Sequence, residues 1–361
     1  MRILIHGHFG MRNVGDDAML ETIAQELRGR YPNSQIVVAA GEHYDRKMFE
    51  RVRLKKVPRS IRGLALAIPG SDLFVVGGGT HLHSRKGKLR YLEDCFNQML
   101  LLIYARMTGA RCWMVGVGLG AFETRSAELV ARVCCAACSF LSVRDKESYR
   151  WLTQGRQQKK YFRTIDPAYW LRIPDTPLRK RGRLFVSALP YFRNYGTDEK
   201  RDGVVLRAFE KFIRQWLELD PGNSVLLSVF NDKASDRDSL ILGELHSKFR
   251  TTGRVDLGEY VSDPSEKFEE ISECSHAIVM RYHALVYAHI AGLPVISLNY
   301  HQKNVAFCSE IGLPETARIS MDMFTDDIAA QLAVSLFSQP ANFTAAVDAD
   351  TYRCGYSGLI N

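Results

Sequence analysis

The stretch His276-Ala277-Ile278-Val279-Met280-Arg281-Tyr282-His283-Ala284-Leu285 reads as an apolar strand that ends at Arg281 and turns at once into a helix. The apolar run has the length of a strand buried in a parallel sheet. The helix stops at Gly292, and Pro294 opens the next strand. Arg281 and His283 therefore leave the sheet together at its carboxyl edge, where open α/β sheets bind ligands. A histidine at a helix start can act as a general acid, and an adjacent arginine can hold an anion. A satisfied structural histidine beside a surface arginine is the plainer alternative. Tyr300-His301-Gln302-Lys303 follows the next strand and adds a cation, Lys303, at the same edge.

The same alternation extends in both directions. Strands are expected at 2–6, 35–39, 73–76, 112–117 and 140–143, with helices at 16–31, 91–108 and 126–138 among them. Residues 173–183, rich in proline and basic side chains, break the pattern and read as a linker. Strands at 184–188, 225–230, 277–280 and 294–298 then alternate with helices at 204–219, 239–249 and 284–291. Such alternation implies the α/β class with mainly parallel sheets covered by helices on both faces. The expected organisation is a Rossmann-like domain over 1–172, a linker over 173–183, a second Rossmann-like domain over 184–310 and a helical tail over 311–361, the two domains facing a cleft.

The chain has 361 residues, enough for two such cores, and its 46% hydrophobic and 24% charged content is that of a globular protein. A net charge of +8 favours anionic partners: phosphorylated metabolites, nucleic acid or an acidic membrane face. No base-stacking or helix-turn-helix signature is present, which argues against nucleic acid. Met1-Arg2-Ile3-Leu4-Ile5-His6 runs straight into a strand without a signal-peptide pattern, and eight cysteines in this length make no disulfide scaffold, so a cytoplasmic location is expected. Cys135 and Cys138 could form half of a metal or redox site, but no second pair completes it, and small residues around them suit a buried helix face.

Four further loops lie at expected strand ends. Gly7-His8-Phe9-Gly10-Met11-Arg12-Asn13-Val14-Gly15-Asp16-Asp17 joins a strand to a helix. Its glycines let a ligand approach the backbone, although the spacing is neither a dinucleotide fingerprint nor a P-loop, and Asp16 and Asp17 also suit a helix cap. Gly77-Gly78-Gly79 leaves open space above the sheet. His81 and His83 follow it at a spacing that suits hydrogen bonds to a sugar better than a metal. Gly116-Val117-Gly118 marks a third strand end. In Ser142-Val143-Arg144-Asp145, Arg144 stands either as a bidentate anion clamp or as an ion-pair partner of Asp145 or Glu147.

Taken in order, these blocks resemble the polysaccharide pyruvyltransferase family. They are Asn13-Val14-Gly15-Asp16-Asp17, Gly77 to Gly79, Gly116 to Gly118, Ser142 to Asp145, Asp166-Pro167-Ala168, Arg281 to Leu285 and Tyr300 to Lys303. The resemblance runs from about residue 3 to 307 and implies a two-domain fold like that of glycosyltransferase-B. It implies phosphoenolpyruvate as co-substrate, no metal or other cofactor, and a cyclic pyruvate ketal on a cell-surface glycan as product. Donor binding then falls to Arg144, Arg281, Tyr282 and Lys303, and catalysis to His283 and Arg281 with Asp16 or Asp17 orienting the sugar hydroxyls. Asn13, Gly78, Gly79, His81 and His83 are the expected acceptor contacts. Tyr282 replaces the leucine of the family pattern, a ring able to narrow the donor site or stack on a sugar. The acceptor is expected to be a glycan or lipid-linked oligosaccharide, with peripheral contact at the inner membrane face. A glycosyltransferase using a nucleotide sugar, and a non-catalytic glycan- or phosphate-binding protein, are the alternatives that the same fold permits.

Overall fold

The computed structural model describes residues 1–83, 89–120, 122–154, 158–171, 179–195, 200–234 and 236–354. The first part of the expected linker, 173–178, lies outside the described residues. The chain divides into two compact units. One holds Met1–Met11 and Asp16–Leu171 with the terminal Gly355–Asn361, the last also outside the described residues. The other holds Arg12–Gly15 and Arg172–Cys354.

The first unit is a parallel sheet in the order Leu54–Pro58, Gln35–Ala40, Arg2–His6, Leu73–Gly77, Arg111–Leu119, Phe140–Val143, Tyr161–Arg163. A short strand, Thr80–Leu82, pairs with Arg111–Leu119. Central strands such as Leu73–Gly77 are buried along their whole length, which is why they read as unbroken apolar runs. One core cluster, with Leu4, Phe74, Val76, Leu102 and Cys134, fills one face of the sheet. Another, with Ile3, Ile5, Leu20, Ile23 and Val75, fills the other. Cys135 and Cys138 are buried in the first cluster, and burial pushes the Cys135 thiol up to about 12. Strand order reverses between Arg2–His6 and Leu73–Gly77, so the loops after His6 and Gly77 flank a topological switch point.

The second unit repeats the plan. Its six parallel strands run Val255–Leu257, Ser224–Leu227, Arg183–Ser187, His276–Val279, Val295–Asn299, Arg318–Ser320. The reversal falls between Arg183–Ser187 and His276–Val279, and the latter leads into Arg281. Several elements were not apparent in the sequence. Helices Arg46–Val52 and Ile61–Ala67 have only seven residues each, and the strand Leu54–Pro58 between them carries Lys55 and Lys56 at two of its five positions. Arg318–Ser320 adds an edge strand to a segment expected to be helical and irregular. The strand expected at 225–230 ends at Leu227, and the amides of Phe230 and Asn231 donate instead to Asp238.

Three of the quoted blocks interlock at the carboxyl edge of the first sheet. Gly116 has φ +62, its amide donates to Ser142 Oγ at 2.9 Å, and the Pro167 ring fills the space a Cβ there would need. Arg144, next to that strand end, donates to Asp166 Oδ2 at 2.6 Å and to Thr80 Oγ1 at 3.1 Å. Asp145 and Glu147, the partners weighed from the sequence, are not the ones used: Asp145 caps the helix Lys146–Thr153 by accepting from the Ser148 amide at 2.7 Å. Gly116→Ala combines a left-handed backbone strain with a clash against a fixed proline ring. It is expected to lower stability by about 2–4 kcal/mol in urea unfolding; an unchanged midpoint would mean that the Pro167 contact does not hold this edge together.

Candidate active site

In the second unit, the helix Tyr282–Ile290 begins one residue after Arg281, whose backbone is extended and whose side chain caps nothing. The guanidinium reaches instead to the loop beyond Ser224–Leu227. Nη1 donates to Asp236 Oδ2 at 2.7 Å and Nη2 to Asp236 Oδ1 at 2.8 Å. Nε and Nη2 both donate to Asp238 Oδ1, at 2.9 and 2.5 Å. Burial works against the charge on Arg281, but the two carboxylates outweigh it and hold the guanidinium protonated well above its ordinary value. Burial pushes Asp238 up to about 6 against the pull of Arg281. Arg281 is therefore not a surface arginine but a largely buried strut, with its guanidinium engaged by two carboxylates. Tyr300 borders the same group, and burial pushes its phenol up to about 12.

His283 sits in the first turn of that helix, partly exposed, with its ring 5.2 Å from that of Tyr282. The segment Arg12–Gly15 belongs to the same unit and docks beside it. Arg12 O accepts from the Asp232 amide at 2.9 Å, the Val14 amide donates to Phe230 O at 3.2 Å, and Asn13 bridges Asn231. Arg12 also pairs with Asp232 at 2.5 Å and lies over the Tyr260 ring. Asn13 Oδ1 accepts from the Gly15 amide at 3.2 Å. A Cβ on Gly15 would fall inside the His283 imidazole, so this glycine is the residue that lets the two segments close. Tyr282 is buried against Phe307, with Lys303 Nζ 5.5 Å from its ring centre. The ring has little surface left for a donor or a sugar; it supports Lys303 instead.

In the first unit, Arg144 and Asp166 are fully paired and buried. Asp17 is also buried, accepts from the Gly10 amide at 2.8 Å, and is pushed well up by burial. It holds the first loop closed. Asp16 is partly exposed, and both its Oδ1 and His81 Nε2 lie 3.9 Å from the position of a Cβ built on Gly79. Gly78 and Gly79 take φ of +60 and +77, a turn open to ligand approach. Burial lowers His81 to about 4, which keeps it neutral at physiological pH, and its ring stacks 5.1 Å from His8. His83 is partly buried, and its carbonyl accepts from the Cys95 thiol at 3.3 Å.

Residues 13–302 match the model of the family described as "Polysaccharide pyruvyl transferase". The chain belongs to this family of enzymes. No curated protein matches it. Among solved structures it is similar to the UDP-GlcNAc 2-epimerase of Methanocaldococcus jannaschii, at 12% identity and a TM-score of 0.64 over 98% of this chain and 97% of that one. It is similar to the Neisseria meningitidis UDP-GlcNAc 2-epimerase bound to UDP-GlcNAc, at 12% identity and a TM-score of 0.60 over 97% and 95%. The S. aureus MnaA–UDP co-structure aligns at 13% identity and a TM-score of 0.64 over 95% and 89%. These likenesses show the fold, two Rossmann-like units of the glycosyltransferase-B type.

In this pyruvyl transferase family member, the sequence reading missed Arg59. Its Nε donates to Gly7 O at 2.6 Å, and among the described residues it forms no carboxylate ion pair. Burial lowers its pKa while Asp16 and Asp94 pull the other way, and its charge helps keep His6 and His81 neutral. Nothing in Pro58-Arg59-Ser60 marks it as a ligand residue; only the fold brings it to Gly7. Arg281→Ala would leave Asp236 and Asp238 buried without a counter-charge, so a loss of about 3–5 kcal/mol is expected in chemical denaturation. A loss below about 1 kcal/mol, the scale of a surface pair, would contradict the strut.

Proposed function

We propose that this enzyme moves the enolpyruvyl group of phosphoenolpyruvate onto a sugar of a surface-polysaccharide precursor and closes it as a cyclic ketal. The observation that carries this reading is the seating of Gly15 against His283, which joins the Asn13-Val14-Gly15 block to the Arg281-Tyr282-His283 block within one unit. Lys303 stands on the same unit as the cation for the donor, whose phosphate and carboxylate together carry close to three negative charges. His283 gives a proton to the methylene carbon, which becomes the methyl group and leaves the adjacent carbon electrophilic. A sugar hydroxyl adds there, the carbon–oxygen bond to phosphate breaks, and a second hydroxyl closes the ring. Of the two hydroxyl protons released, one balances that taken from His283 and the other leaves on hydrogen phosphate.

On the first unit, Asp16 with the open Gly78-Gly79 turn and neutral His81 forms the acceptor side, with Asp16 orienting the hydroxyls. Arg59 adds a positive charge suited to an acceptor that carries phosphate, whether linked to lipid or to nucleotide. Arg144, Arg281 and Asp17 act as positioning residues in this scheme, because each already has partners inside its own unit.

The test is phosphate release from phosphoenolpyruvate with a defined oligosaccharide acceptor. His283→Ala is expected to reduce turnover by about 10²–10⁴-fold with stability nearly intact. Lys303→Ala is expected to raise the KM for phosphoenolpyruvate about tenfold, the loss of one charge-assisted contact. Near-normal turnover in the His283 variant removes it as the acid. Thermal stabilisation by nucleotide sugars but not by phosphoenolpyruvate would transfer the protein to the glycosyltransferase reading.

A further inference from the structure

We propose that Lys267 is a positioning residue for His283: its buried ammonium fixes the start of the loop that carries Asp236 and Asp238, and through them the strut at Arg281. The effect on turnover rests on the reading of His283 as the acid; the effect on the place of His283 does not. Lys267 lies on the helix Pro264–Ser272 and is 0% exposed. Its Nζ donates to Ser228 Oγ at 3.0 Å and to Glu270 Oε2, and Ser228 Oγ donates to the same carboxylate oxygen at 3.2 Å. A Cβ on Gly258 would collide with Glu270 Oε1, so that glycine admits the carboxylate beside the strand end.

Ser228 is the first residue beyond the strand Ser224–Leu227, and its amide donates to Val186 O at 2.9 Å. Two residues on, the ring centre of Phe230 lies 6.0 Å from Lys267 Nζ. The Phe230 amide donates to Asp238 Oδ2 at 3.1 Å, and its carbonyl accepts from the Val14 amide. Phe230 therefore joins the strut to the segment that seats Gly15 on His283, and Lys267 anchors the chain at that point. The helix of Lys267 also touches the helix of His283. Tyr287 Oη donates to Pro264 O at 3.3 Å, and the Tyr287 ring packs on Phe230 and Phe268.

Stability alone does not account for a lysine here. An ammonium taken wholly out of water and paired with a carboxylate is seldom better for stability than apolar packing. What it adds is charge beside Asp238. Burial lowers the Lys267 pKa, and Glu270 and Asp238 hold it up. The attraction is mutual, so Lys267 favours the ionised form of Asp238. That carboxyl is faced by Arg281 and Lys267 with opposite charge and by Asp236 with like charge, and the Tyr300 phenol borders it. Burial pushes its pKa up to about 6. Below that pH it loses the charge that grips Arg281, and without Lys267 the loss begins at a higher pH.

The test uses the full chain. Lys267→Met with Glu270→Gln removes both charges of the pair, so no ion is left stranded and the thermal midpoint is expected to stay near wild type. Ser228→Ala is a second variant that cuts only the link between Lys267 and the loop. The His283 Cε1–H resonance, assigned by its loss in His283→Ala, is followed by NMR without substrate. It is expected to move in both variants, more in the double one, while those of His6 and His81 in the other unit stay in place. In phosphate release from phosphoenolpyruvate, the double variant is expected to lose about tenfold or more in kcat with the donor KM nearly unchanged. The acid limb of its kcat profile is expected to move up by about one pH unit. A His283 resonance that stays in place in the folded variants would overturn the proposal, even if the wild type released no phosphate and the proposed reaction fell. An active double variant whose acid limb does not move would overturn it as well.

Discussion

The clamp of Arg281 between Asp236 and Asp238 sets the geometry on which the candidate chemistry depends. A parallel strand that turns straight into a helix needs its junction held, and this junction has no side-chain cap. Four hydrogen bonds to two carboxylates hold it, and Asp238 in turn accepts the amides of Phe230 and Asn231. The loop after Ser224–Leu227 and the junction after His276–Val279 are thereby fixed to each other. His283, two residues beyond Arg281, inherits its position from that bond set. The same loop receives Arg12–Gly15 through Phe230, Asn231 and Asp232, so the glycine that admits the imidazole is aligned by the strut that carries it.

The charged residues of the quoted blocks divide by what surrounds them. Arg144 and Asp17 are buried and Arg281 is largely so, and all three are hydrogen-bonded within their own units, so they serve the frame. Removing one partner from such a pair is costly because the other stays behind without a counter-charge. Asp16, His283 and Lys303 sit at the same sheet edges with more surface, on side chains that the frame orients. Gly116, Ser142 and Pro167 belong with the frame: they lock three strand ends of the first sheet and contribute no reacting group.

Much of the fold was legible because parallel strands buried on both faces are runs of apolar residues, as in Leu73–Gly77 and Val295–Asn299. The strand-to-helix junction at Arg281 was legible for the same reason. Residues 41–72 were not: two seven-residue helices and the strand Leu54–Pro58, with Lys55 and Lys56, give too few apolar positions to show a period. In the site, the identity of His283 and Lys303 as edge residues was readable, but the partners of the arginines were not. Asp236 and Asp238 precede Arg281 by more than forty residues, and Asp166 follows Arg144 by 22, distances that only the fold closes. Local sequence suggested Asp145 for Arg144, yet that carboxylate was already required as a helix cap. Arg59 gave no signal because its role comes from one bond to Gly7 across 52 residues.

The most direct measurement is the split between kcat and KM for phosphoenolpyruvate in Arg281→Lys, assayed where the variant is folded. A lysine keeps one positive charge near Asp236 and Asp238 but loses the fork that fixes the junction. If Arg281 works by holding His283, kcat falls about a hundredfold or more, the scale of a misplaced catalytic group, while KM for the donor stays close to wild type. A raised KM with kcat preserved would put Arg281 in contact with the donor and contradict the account.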